Sequence, residues 1–99
     1  MMIVKANVYD DGRLFLAVCD ANLIGKKFDE GDLQIDLTSS FFKGEKKNVD
    51  EITALVKKSY MVNFVGEKSI KLALKEGFVE KDNVIIINNI PTAQMLVMI

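Results

Sequence analysis

The chain has 99 residues, 49% of them hydrophobic and 27% charged, with 13 basic and 14 acidic side chains for a net charge of -1. That length suits one domain, the apolar content argues against disorder, and the near-neutral balance excludes a strong long-range field for nucleic acid. With no histidine and a single cysteine, Cys19, the composition also removes imidazole catalysis, Ser-His-Asp and Cys-His pairs, zinc clusters, CxxC redox chemistry and intrachain disulfides.

Residues Ile3–Tyr9, the turn Asp10-Asp11-Gly12 and residues Arg13–Cys19 read as a β-hairpin, with Gly12 in the turn. The second strand is apolar on both faces and should be central. Asp20 is expected to cap a single helical turn that closes at Gly25, so that Asp20→Ala costs on the order of 1 kcal/mol. Residues 33–38 alternate apolar and polar, as a strand with one wet face does. Residues 38–48 read as a polar loop. Asn48 with Glu51 three residues on predicts a capped helix from Val49 to about Ser59, with Ile52, Leu55 and Val56 on its buried stripe. A second helix is expected from about Gly66 to Glu76, buried through Ile70, Ala73 and Leu74, ended by Gly77 and capped by Asn63. Met61–Val65 between them fits both a strand and a helix–helix joint. Val84–Ile87 and Ala93–Ile99 read as strands, broken by Asn88-Asn89-Ile90-Pro91.

Strands, helices, then strands predict one α+β domain over residues 1–99: a largely antiparallel sheet, made of the N-terminal hairpin and the C-terminal strands, with two consecutive helices packed on one face. Two helices cover one face only, and several strands are apolar on both. A homodimer is therefore expected, with a second copy covering the other face.

The polar motifs mostly have structural readings. Gly25-Lys26-Lys27 fails as a phosphate loop, because Asp20 and Lys27 stand where a glycine and a Ser/Thr are required. Gly66-Glu67-Lys68-Ser69 opens a helix, but Glu67 opposes an anion there and suits the helix dipole. Asp10-Asp11 and Asp29-Glu30-Gly31-Asp32 read as solvated turns without calcium-loop spacing. Cys19 beside Asp20 reads as a buried, inert thiol. No metal site and no cofactor are expected; the carboxylate and carbonyl oxygens left without histidine suit magnesium or calcium rather than a transition metal. Pro91-Thr92-Ala93-Gln94 either lines a pocket or satisfies loop backbone. Phe41, Phe42, Lys43, Lys46 and Lys47 interleave aromatics and lysines, as a base-stacking patch does, although Glu45 dilutes them. If RNA is bound there, the contact should be weak. Arg13 is the only arginine, so no DNA sequence specificity is expected.

Nothing in Met1–Asp11 forms a signal peptide, and residues 83–99 are too short and too polar for a membrane span. A lone thiol and the lack of any Asn-x-Ser/Thr sequon fit a reducing cytoplasm.

Val18–Lys26, Ser40-Phe41-Phe42-Lys43-Gly44-Glu45, Asn63–Glu67 and Pro91-Thr92-Ala93-Gln94 occur in an order and spacing that resembles the archaeal domain of unknown function 424 family. The resemblance spans nearly the whole chain. It implies an archaeal cytosolic domain with no assigned reaction, and an association with translation and ribosome assembly.

Three functions stand open on sequence. The first is a non-enzymatic binding module, accessory to translation, that contacts protein or RNA through the Phe41–Lys47 loop. The second is a small-ligand binder or carboxylate-based enzyme in which Asp20, Asn63, Glu67 and Gln94 converge on one pocket; carboxylate acid–base chemistry needs no histidine. The third is a structural homodimer. Composition favours a non-enzymatic role.

Overall fold

A computed structural model describes residues 2–8, 10–38 and 44–96. Strands β1 (Met2–Val8) and β2 (Leu14–Asp20) pair antiparallel from Met2 opposite Asp20 to Val8 opposite Leu14, as the hairpin reading expects. Gly12 sits in their turn at φ +85, a region that a side chain disfavours. Two short charged strands lay outside the sequence reading. β3 (Lys27–Glu30) pairs with β4 (Leu33–Asp36) to form a separate hairpin. β5 (Glu45–Lys47), within what read as a polar loop, adds to the outer edge of β1.

Helix α1 (Val49–Lys58) starts at the anticipated capping box. Asn48 accepts from the Glu51 backbone N–H at 2.9 Å, and the Asn48 N–H donates back to Glu51 at 3.3 Å. Met61–Val65 proves to be a strand, β6, and it runs parallel to β2. A parallel neighbour requires a crossover, and α1 supplies it. Helix α2 (Glu67–Lys75) follows at once, and Gly77 beyond it takes φ +73. Strands β7 (Ile85–Ile87) and β8 (Ile90–Leu96) form a tight hairpin on Asn88 and Asn89, both at positive φ. That is the two-residue turn whose twist matches its strands. The break between these strands is thus shorter than expected, and β8 begins at Ile90.

The six strands order as β5-β1-β2-β6-β8-β7, antiparallel at every junction except β2-β6. Both helices lie on one face. Ile52, Val56, Ile70, Leu72 and Ala73 join Leu16, Val18, Val62 and Phe64 in the larger core. This is the anticipated α+β arrangement. One detail of α2 differs: Leu72 is buried where Leu74 was expected, and Leu74 is 39% exposed.

The second face is partly covered by the chain itself. Cys19, Val65 and Ile87 on that face form a smaller core with Leu23, Ile35 and Leu37, and Phe28 packs against it. The β3-β4 hairpin therefore does part of what a second copy was invoked to do. No helix among the described residues is long and apolar enough to cross a membrane.

Candidate functional site

Side-chain alternation along β2 sends Leu16, Val18 and Asp20 toward the helices and Ala17 and Cys19 to the other face. This decides the role of Asp20. It does precede a 3-10 turn, Ala21–Leu23, but its side chain makes no cap hydrogen bond to that turn. The expected local cap is not formed. Instead the carboxylate reaches the start of α2. Oδ2 accepts from the Lys68 backbone N–H at 3.0 Å, and Oδ1 accepts from both the N–H and the hydroxyl of Ser69 at 2.8 Å. Asp20 is 5% exposed and Ser69 fully buried.

The physical reason lies in Gly66. It is the N-cap residue of α2, at φ +109, and it brings no side chain to the helix start. Orphan N–H groups and the positive end of the helix dipole need an acceptor. Asp20 provides one from another strand. Asn63 was expected to cap α2 and does not. It lies on β6 with its side chain on the other sheet face, where Gln94 donates to its Oδ1 at 2.9 Å across the β6-β8 pairing.

The four residues expected to share a pocket therefore separate. Asp20 and Glu67 line a cleft of about 380 Å³ at the helix-covered side, with Ala21, Asn22, Lys46 and Lys68. Asn63 lines another cleft, also about 380 Å³, on the opposite face, with Gln34, Asp36 and Thr92 on its polar side. Gln94 is exposed beside it. Of the three carboxylates among the described residues lining these clefts, Glu67 is exposed and the other two are engaged. Asp20 is committed to α2, and Asp36 accepts from the Thr38 hydroxyl and from its N–H at 2.9 Å. Those hydrogen bonds hold the Asp36 carboxyl below its ordinary range. Among the described residues, no group of three or more Cys, Asp or Glu is placed to hold a metal ion.

Cys19 is fully buried, and its thiol donates to the Asp20 carbonyl at 3.3 Å. Burial, and secondarily the Asp20 charge, push its pKa up to about 12. The thiolate is then negligible below pH 9. Native protein should not react with a thiol-specific reagent at pH 8, and protein in denaturant should take up one equivalent. Rapid stoichiometric labelling of the native form would contradict the burial.

Phe41, Phe42 and Lys43 lie outside the described residues. The other two members of that patch are placed on β5. The register sets Lys47 beside Met2 on the helix face and Lys46 beside Ile3 on the other. Lys47 opens onto a cleft of about 440 Å³ between β5, the start of α1 and one side of α2. Met2, Val49 and Leu72 form its floor, and Lys47, Lys68, Lys71 and Lys75 its rim. The three α2 lysines follow i, i+3, i+7 spacing, which stacks them on one side of a helix. Lys47 has carboxylates at 3.5 Å (Glu45) and 4.0 Å (Glu51), whereas no ion pair of Lys68, Lys71 or Lys75 occurs among the described residues. The sequence reading missed these three. Their spacing was visible, but their position opposite Lys47 depends on the β1-β5 pairing.

Fold and surface together define a small α+β domain with a lysine-rimmed, apolar-floored cleft. The chain belongs to the family described as protein of unknown function (DUF424), whose model matches residues 8–98. No curated protein matches it. Among solved structures it is similar to an uncharacterized conserved protein from Methanopyrus kandleri, with a TM-score of 0.77 and 19% identity over 95% of this chain and 89% of that one. At that identity the likeness concerns the fold.

Proposed function

We propose that this protein is a non-enzymatic binding module whose partner is anionic and docks on the lysine-rimmed cleft. The observation that carries this reading is the convergence of Lys47, Lys68, Lys71 and Lys75 around one concavity in a chain of net charge -1. Opposite charge concentrated at one edge steers a partner there without attracting polyanions to the whole surface. The cleft holding Asp20 mixes Lys46 and Lys68 with two carboxylates, and the one holding Asn63 has no lysine among its described lining residues. The family resemblance directs the search to components of translation and ribosome assembly, and to a cytoplasmic setting.

Capture of partners from native lysate, with wild type and with Lys71→Glu/Lys75→Glu as baits, tests the reading. Partners specific to the wild type are expected, and they should elute as salt rises because exposed charges are screened. Identical partner sets for both baits would refute it.

A second reading, homodimerisation, rests on the sheet face beyond the β3-β4 hairpin. Phe15 and Met61 are half-buried there, and Leu96 is 47% exposed. Apolar side chains on an open sheet face are suited to a second copy. Light scattering at micromolar concentration should show twice the 11.1 kDa chain mass. A species of single-chain mass alone would remove this reading.

A further inference from the structure

From the chemistry of the lysine-rimmed cleft we infer that its occupant is an acidic amphipathic helix of a protein partner, rather than a nucleic acid. The inference rests on the binding-module reading and adds the partner's class.

The floor is aliphatic. Met2 and Leu72 are 6% exposed and anchor the base, while Val49 is 49% exposed and forms one wall. Nucleic acid offers phosphates and flat bases, and single strands are held by stacking on aromatic rings. Among the described residues, no aromatic side chain lines this cleft. Arg13, the chain's one arginine, sits elsewhere with its guanidinium 4.6 Å from the ring centroid of Tyr60. Arginine's bidentate phosphate geometry is thus absent from the cleft too. What the cleft can hold is aliphatic side chains in its centre and single carboxylates at its edge.

The spacing of the rim sets the form of the partner. Lys68 to Lys75 spans seven residues of α2, or roughly 10 Å at the helical rise. A helix laid alongside presents carboxylates at i, i+3 or i+4, and i+7 over the same length. Its leucine-type side chains then face Leu72 and Val49. This is recognition of a helix in a groove, with apolar anchors supplying burial and charge supplying register. Lys47, on the opposite rim, already has Glu45 and Glu51 near it, so α2 supplies most of the charge available to a partner.

The test is fluorescence anisotropy with three labelled probes of equal net charge: a helical peptide with glutamates at i, i+4 and i+7 and leucines on the same face, a scrambled peptide of identical composition, and an oligouridylate. The patterned peptide is expected to bind at least roughly ten-fold more tightly than the scrambled one. Lys71→Glu/Lys75→Glu should abolish that binding. Val49→Asp, at a half-exposed position that the fold does not need, should weaken it. Lys57→Glu/Lys58→Glu, at the far end of α1, should leave it unchanged. Equal binding of the two peptides would overturn the inference, because charge alone would then suffice. Binding of the oligouridylate alone, lost in Lys71→Glu/Lys75→Glu, would overturn the helix while leaving an anion-binding module. No binding of any probe would refute the helix, and the lysate capture separately decides the module.

Discussion

Asp20→Ala is expected to destabilise the protein by about 3 kcal/mol, several times the value of a surface cap. The carboxylate is buried and accepts three hydrogen bonds, two of them from backbone N–H groups of the first turn of α2. Alanine leaves those donors and the Ser69 hydroxyl without their acceptor at a largely buried helix start. Each such orphan costs about 1–3 kcal/mol, less what relaxation recovers. The negative charge at the helix start goes as well. For a domain of this size, 3 kcal/mol lowers the melting temperature by roughly 12–24 °C. Asp20→Asn should fall between, since its carbonyl can still accept from Ser69 while its amide turns a donor toward Lys68. Urea unfolding followed by circular dichroism measures the series. An alanine variant within about 1 kcal/mol of wild type would mean that Asp20 is worth no more than an exposed cap.

Asp20 also shows what a sequence reading reaches and where it stops. That an aspartate before a short turn acts as a cap was legible from local rules. Which helix it caps was not, because the acceptor and its donor at Ser69 lie 49 residues apart in the chain. The Asn48–Glu51 box was legible in full, since both partners lie within one turn. The hairpin around Gly12 was legible because alternation and turn chemistry agree. Strands β3 and β5 were not. Lys27-Phe28-Asp29-Glu30 and Glu45-Lys46-Lys47 have little strand propensity, and each is held by pairing with a neighbouring strand. Missing β3 hid the cover over the second sheet face and enlarged the case for a dimer. Missing β5 hid the cleft, because it is the pairing of Lys47 with Met2 that carries a loop lysine to the side of α2. The candidate site was thus half visible as lysine spacing and wholly dependent on a strand too short and too charged to recognise.

Gly66→Ala is expected to be at least as damaging as Asp20→Ala, for two separable reasons. The residue lies at φ +109, where a side chain is strained. A Cβ there would also stand 2.6 Å from Oδ2 and 2.7 Å from Oδ1 of Asp20, well inside contact distance. Neither side can yield cheaply. The carboxylate is fixed by Lys68 and Ser69, and the Gly66 backbone is fixed by its N–H donating to the Pro91 carbonyl at 2.8 Å. A cost of about 3–5 kcal/mol follows from strain plus forced repacking. Gly77→Ala separates the two causes. Gly77 is at φ +73, but no atom lies within 4 Å of its would-be Cβ, so it should register strain alone, roughly 1–2 kcal/mol. The difference between the two glycine variants then reports the collision with Asp20 together with the steeper strain at Gly66, whose φ +109 and ψ 162 are essentially reserved to glycine. The double variant Asp20→Ala/Gly66→Ala provides the sharper test. Removing the carboxylate makes room for the methyl group, so the double cost should fall short of the summed single costs by about 1–2 kcal/mol. Additive costs, or a Gly66→Ala variant no worse than Gly77→Ala, would show that the carboxylate and the glycine are not the interlocked pair that starts α2.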